Sequence, residues 1–441
     1  MKITLIGGGS YSWTPGLYSK FMAAEFFPRD TEICLMDTNE KALADLKAYC
    51  ELYNEQNPKM ALKVTTTTCL EKAVEGADFV TVAISHGGLE AELEDHRIAR
   101  RHGFYNIKGS EAGIAGASRT IRHVPEIVRM AKKIKKYSNN AYFFNVSNPL
   151  TAITKAIEVY GGCRTAGFCH GIRNHLEILL PYFGAESFDD VSFVVAGIDH
   201  CSFLLDVKYK GQDALEIMRN KGMIEAAWQQ NLNITYDDPF AGRENQHIRF
   251  ILWDILGYLP GLSDEHCAEF FYQAIGTPEL RERFGMKYDR IAERMKSVDE
   301  HKDKVLEQLK TKKLPPLGFS QEIIAEVIEA LCGGRPYYDV LNYKNVGQVA
   351  NLPLGIVTET FCNVDAAGIH PVQAGPLPKI AESIVRPMAL REDLYMEAAM
   401  EWDEKKLISA LATDPIVNDF LRVKDVAHEI MEYNKQFLVK D

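Results

Sequence analysis

The chain opens on a short apolar strand at residues 2–6 that runs directly into Gly7-Gly8-Gly9 and then, from residue 15, into a helix. Few folds accept that succession. The glycine turn lets backbone approach a ligand, the helix N-terminus behind it favours an anion, and the helix must return over the sheet to a parallel neighbour. The alternation continues. Apolar runs predict strands at 33–36, 62–67, 77–84 and 141–146, and 3.6-residue periodicity predicts helices at 15–24, 40–53 and 124–137. Parallel crossovers of this kind build a doubly wound Rossmann sheet. From about residue 175 longer helical patterns take over, at 214–230, 248–258, 291–309 and 321–331, with strands at 191–196 and 203–209. The expectation is an α/β protein of two closely packed domains: a dinucleotide-binding Rossmann domain over 1–175 and a mixed α+β substrate domain over 176–441.

Charge narrows the partners. At 441 residues the chain carries a formal net charge of -11, and its Lys and Arg are scattered, so no concentrated basic face is available for nucleic acid. The dense run Lys132-Lys133-Ile134-Lys135-Lys136 falls in a helical pattern and reads as a solvated face. No apolar stretch reaches the length of a membrane span, and the sequence enters its first strand without a signal-peptide pattern, so a cytoplasmic location is expected. Nine cysteines, odd in number and without a CxxC pair, argue against a disulfide framework.

The candidate chemistry gathers at strand ends. Gly7, Gly9, Ser10, Tyr11 and Ser12 form the expected phosphate turn, although Ser12 stands where a third glycine is usual. Asp37, at the end of the second strand, is placed for an adenosine ribose and would repel the extra phosphate of NADP, so NAD is expected; a cap on the next helix is its alternative role. Asn148, in Asn145-Val146-Ser147-Asn148-Pro149, projects into the crevice above the sheet. Lactate and malate dehydrogenases have a similar Asn-Pro step. Cys169 and His200 each follow an apolar strand and together could hold one metal with open positions for substrate oxygens. Taken singly, each reads as a structural residue.

In order and spacing, GGGSYSWTP, LMD, GSEAGIAGASRTIRHVP, FNVSNP, FCHG, AGIDH and AAGIHPVQAGPLP resemble the family 4 glycoside hydrolases, the NAD- and metal-dependent glycosidases, over nearly the full length. The resemblance implies a route outside the usual pair of carboxylates. Hydride passes from C3 of the sugar to NAD, the C2 proton becomes acidic and is removed by a base, the C1 leaving group is eliminated, water adds, and the hydride returns. It further implies a divalent cation, manganese first, on the residues matching Cys169 and His200. Asn148 and His170 are then substrate contacts, Glu111 orients metal-bound water or substrate, and the assembly is a homodimer or homotetramer.

Departures from the family pattern bear on specificity. Members acting on 6-phosphorylated sugars usually follow the cysteine with Asn or Asp and then Pro, whereas this chain has His170-Gly171-Ile172. They also carry an arginine in the loop that here reads Ile84-Ser85-His86-Gly87-Gly88. Without that guanidinium an unphosphorylated glycoside or glycosiduronic acid is expected, with a 6-phospho-glycosidase as the alternative. Asp199 stands where asparagine is usual and adds negative charge beside the cation. For acid and base the helix at 247–258 offers His247, Asp254 and Tyr258, with His247 preferred. His266 and Glu269, one turn apart, read as a solvated helix face, and Gly368-Ile369-His370-Pro371 as an architectural turn. A 2-hydroxy-acid or polyol dehydrogenase and an inactive NAD-binding sensor are the other functions compatible with the same sheet.

Overall fold

A computed structural model describes residues 1–238, 242–286 and 290–438. Five parallel strands, β1 (Lys2–Ile6), β2 (Glu32–Met36), β3 (Lys63–Thr67), β4 (Phe79–Val82) and β5 (Tyr142–Asn145), lie in the order β3-β2-β1-β4-β5. The order reverses between β1 and β4, and a crevice opens there at the carboxyl ends of the strands. Helices cover both faces because the strands are apolar on both sides. Thr14–Ala23, Glu40–Gln56 and Ile324–Leu331 pack on one face, and Gly113–Tyr137, Leu150–Val159, Lys379–Glu401 and Val423–Asn434 on the other.

Two antiparallel strands, β6 (Val191–Ile198) and β7 (Cys201–Tyr209), form a tight hairpin in a second sheet. A later antiparallel pair, Tyr337–Lys344 with Val357–Asp365, joins the first sheet instead. Gly167 bridges Asn145 on one side and Asn342 on the other, so strands from opposite ends of the chain become one layer. Residues after Ile324 therefore return to the N-terminal sheet and cover both of its faces, which strand and helix periodicity does not reveal. The helix expected at 214–230 is two, Ala214–Asn220 and Met223–Trp228, because Gly222 between them takes a φ of +72°. The helix expected at 124–137 begins eleven residues earlier, at Gly113, and runs through Pro125.

One buried cation ties the second region together. Arg249, 0 % exposed on helix His247–Leu256, donates from Nε to the Pro260 carbonyl (2.8 Å), from Nη1 to the His175 carbonyl (2.9 Å) and Gln246 Oε1 (3.0 Å), and from Nη2 to the Gly261 carbonyl (2.8 Å). Burial lowers its pKa to about 10, so the bonds outweigh a real desolvation cost. Arg249→Met would strand three buried carbonyls. The expected loss is about 3–5 kcal/mol of stability, read by urea unfolding. A loss under about 1 kcal/mol, within the range of ordinary substitutions, would contradict this role.

Candidate functional site

A cavity of about 790 Å³ opens at the strand-order reversal. Ser10 and Ser12 line one end, after β1; Ala83 to Ser85 follow β4, Val146 to Asn148 follow β5, and Cys169, His170 and His200 line the other end. The local sequence explains the first end. Gly7 has a φ of +90° and a side chain there would sit 2.2 Å from the Ala83 carbonyl oxygen, while at Gly8 it would meet Leu35 Cα at 2.8 Å. Only glycine permits this approach. Asp37 accepts from the Gly9 amide (3.0 Å) and the Asn39 amide (2.9 Å). Asn39, whose side chain accepts from the Ala42 amide, is the cap of the next helix, so Asp37 does not fill that alternative role. Helix Thr14–Ala23 begins at Trp13 without a side-chain cap. A bare turn before an uncapped N-terminus, with a carboxylate at the end of β2, fits an anionic dinucleotide with free ribose hydroxyls.

The other end is built by two turns. Asp199-His200 closes the β6–β7 hairpin, and the two-residue turn forces His200 into the left-handed region at a φ of +62°. Such strain in a non-glycine residue persists only where the surroundings hold it. Ligand atoms of Cys169, Asp199 and His200 lie within 4.8 Å of one another, with His200 Nε2 3.4 Å from Asp199 Oδ2. Asp199 Oδ1 accepts from Asn342 Nδ2 at 3.1 Å. Burial pushes Asp199 up to about 7. Burial, then the carboxylates of Asp199 and Glu359, raise the Cys169 thiol well above its ordinary value. Glu111, Glu359 and Glu392, all buried, are likewise raised by burial and then by Asp199. Buried acidic groups whose ionisation is opposed by burial and by one another, gathered around a thiol and an imidazole, are what a divalent cation would stabilise in their charged forms. The donor set fits one.

Of the other residues expected from sequence, Asn148, whose peptide bond to Pro149 is cis, and His170 line the cavity. His170 Nδ1 lies 3.4 Å from Glu322 Oε1. Five others stand outside it. Glu111 is 0 % exposed, and its carboxylate accepts from the amides of Leu150 (2.9 Å) and Thr151 (3.4 Å), where it caps the helix after Asn148-Pro149 rather than meeting water or substrate. The Tyr11 phenol turns away to donate to Asp45 Oδ2 at 2.8 Å. His247 begins its helix off the cavity, and Tyr258 packs in a cluster with Leu256 and Phe271. Asp254 is exposed and accepts from Trp228 Nε1.

In their place the cavity wall carries Tyr236, His175 and His266. Tyr236 Oη accepts from Asn174 Nδ2 at 3.0 Å, and its ring centroid lies 4.3 Å from that of His175. Tyr236 lies in the short strand Thr235–Asp238, a polar stretch of sequence in which periodicity carries no signal. His266 and Glu269, expected on a solvated face, are 5 % and 1 % exposed. Helix Asp264–Phe270 is buried throughout: Glu265 and His266 line the cavity, while Asp264 and Glu269 accept from the backbone amides of Arg249 and of Glu111 and Ala112.

The fold and the sequence both have known relatives. A 6-phospho-alpha-glucosidase from gut microorganisms, solved with NAD and Mn2+, superimposes with a TM-score of 0.82 at 19% identity over 100% of this chain and 99% of that one. The 6-phospho-beta-glucosidase of Thermotoga maritima, solved with manganese, NAD+ and glucose-6-phosphate, gives 0.80 at 23% over 100% of both. At these identities the likeness is one of fold. Among sequences, an alpha-galactosidase of Bacillus subtilis is 27% identical across 96% of this chain and 95% of its own. An alpha-galacturonidase of Lachnoclostridium phytofermentans is 25% identical across 100% and 97%. The model of the family 4 glycosyl hydrolases matches residues 2–180 and that of their C-terminal domain residues 195–417, so the phosphate turn, the Cys169 turn and the Asp199-His200 turn all fall inside matched segments. On that coverage the chain belongs to the family 4 glycosyl hydrolases.

Proposed function

We propose that this chain is an NAD- and manganese-dependent glycosidase acting on an unphosphorylated glycoside, with neutral sugars ahead of glycosiduronic acids. The observation that carries the reading is one cavity with a dinucleotide turn at one end and a Cys169–His200 donor pair at the other. Gly7 to Ser12 and Asp37 would hold NAD, and Cys169 and His200 the cation. When bound, NAD supplies a hydride acceptor that no side chain provides, and the cation a Lewis acid for the sugar oxygens. Asn148 and His170 orient sugar hydroxyls. Tyr236 takes the C2 proton, in place of His247 or Tyr258; the Asn174 amide donates to its oxygen and so fixes where the phenol stands in the wall. All nine cysteines are unpaired, in keeping with a reducing, cytoplasmic setting, and a homodimer or homotetramer completes the reading. Among the described residues no helix is long and apolar enough to cross a membrane.

The preference for an uncharged sugar comes from charge pairing in the wall. Among the described residues, each lysine or arginine that lines the cavity already faces a carboxylate: Lys108 with Glu244 (2.8 Å), Arg119 with Glu92 (3.3 Å), Arg290 with Glu265 (2.5 Å), and Arg294 with Glu92. A phosphate dianion would have to displace one of these partners. A panel of aryl glycosides, glycosiduronides and 6-phosphoglycosides tests this, with NAD and manganese present and then each omitted. Neutral substrates should exceed their 6-phosphorylated counterparts by about tenfold or more in kcat/KM, a difference of about 1.4 kcal/mol or more. Activity should vanish on either omission. Turnover confined to 6-phosphoglycosides would overturn the substrate reading.

A further inference from the structure

Helix Asp264–Phe270 carries a buried carboxylate that the mechanism above does not use. Glu269 Oε1 accepts from the amides of Glu111 (2.7 Å) and Ala112 (3.0 Å), which fixes the side chain in one orientation. Its second oxygen, Oε2, is buried without a hydrogen-bond partner. An unpaired buried carboxylate oxygen is costly, and in a native fold it calls for an explanation. Its neighbours supply one. Ligand atoms of Glu269, His200 and His266 lie within 4.8 Å of one another, and the His200 and His266 rings meet edge to face with centroids 4.2 Å apart. His200 thus belongs to two constellations, one with Cys169 and Asp199 and one with His266 and Glu269.

An imidazole that coordinates a cation through one nitrogen presents an N–H at the other, and an acceptor there sets both tautomer and ring orientation. Asp199 belongs to the Cys169 constellation and has one oxygen engaged by Asn342. We propose that Glu269 is the positioning residue for His200: in the cation-loaded enzyme Oε2 accepts the N–H of the ring nitrogen that does not coordinate. The two amides at Glu111 and Ala112 hold the carboxylate rigid, and the carboxylate holds the ring. The backbone stretch that also carries the cap of helix Leu150–Val159 is thereby coupled to the cation. The inference rests on the Cys169–His200 cation reading.

Glu269→Gln separates this role from folding. The glutamine oxygen keeps both amide bonds, while its NH2 replaces Oε2 with a donor that opposes the imidazole N–H. Glu359→Gln is the control for charge, since Glu359 is also buried and accepts from Ser202 Oγ at 2.7 Å. Manganese affinity is measured by electron paramagnetic resonance titration, NAD affinity by calorimetry, and the thiolate-to-metal charge-transfer band in the cobalt-substituted protein. E269Q should weaken manganese by about 10–100-fold and shift the cobalt band. E359Q should weaken it far less, and both variants should keep NAD affinity. Unchanged manganese affinity in E269Q, or equal weakening in E359Q, would overturn the proposal while leaving the cation site intact. A wild-type protein that binds no manganese would overturn the cation reading and this inference with it.

Discussion

Cys169→Ala is expected to remove manganese binding and to slow glycoside turnover by about 10³-fold or more while leaving NAD affinity and folding nearly unchanged. The magnitude follows from what the cation contributes. Lewis-acid stabilisation of developing oxygen charge is worth several kcal/mol. At about 1.4 kcal/mol per tenfold, a loss of about 4 kcal/mol gives that factor. The selectivity follows from position. Cys169 follows Phe168 at the cavity edge and is half-buried, with the Gly171 amide donating to Sγ at 3.4 Å, so alanine removes a ligand without opening a core void. The buried acidic groups around it make the site strongly dependent on a positive charge, and serine, whose far less acidic hydroxyl is a neutral ligand, should restore little. Manganese affinity and kcat/KM, measured on the same preparation, check the prediction. A variant that keeps wild-type manganese affinity would remove Cys169 from the ligand set.

How much of this is legible without the structure depends on the scale at which each feature is determined. The N-terminal sheet is local: β1 begins and ends at the expected residues, and the strands expected at 33–36, 62–67 and 141–146 differ from β2, β3 and β5 by a residue at their ends, because apolar runs and Gly7 encode them directly. Cys169 and His200 share one trait, a chemistry-bearing residue just past a strand. The structure brings their ligand atoms together through the β6–β7 hairpin turn, whose strands extend beyond the expected 191–196 and 203–209. Glu111 illustrates the converse. Its place in a dense motif suggests proximity to the cation, but the amides of Leu150 and Thr151 take its carboxylate, and that pairing spans 39 residues. His266 and Glu269 sit among Asp264, Glu265 and Cys267 in a sequence that reads as an exposed turn of helix; their burial arises only when the second sheet, the Glu111 backbone and the cavity wall converge on them. The strand Tyr337–Lys344, with three tyrosines, one asparagine and two charged residues, gives no apolar alternation, yet it completes the first sheet through Gly167. Polar groups buried by tertiary pairing are invisible to periodicity, and most of this site's wall is of that kind.

The central claim is that bond cleavage here proceeds through oxidation at C3, with Tyr236 removing the C2 proton, and one isotope measurement addresses it. A sugar oxidised at C3 has an acidic C2 hydrogen; once the C2 proton has been removed it exchanges with solvent before water adds and the hydride returns, whereas hydrolysis by two carboxylates leaves that hydrogen untouched. Turnover of an aryl glycoside in deuterated water, with the released sugar examined by proton NMR, should therefore give product with deuterium at C2 and the original hydrogen at C3. Tyr236→Phe should suppress release and labelling together. A product with unlabelled C2, formed at full rate without NAD or manganese, would contradict the account.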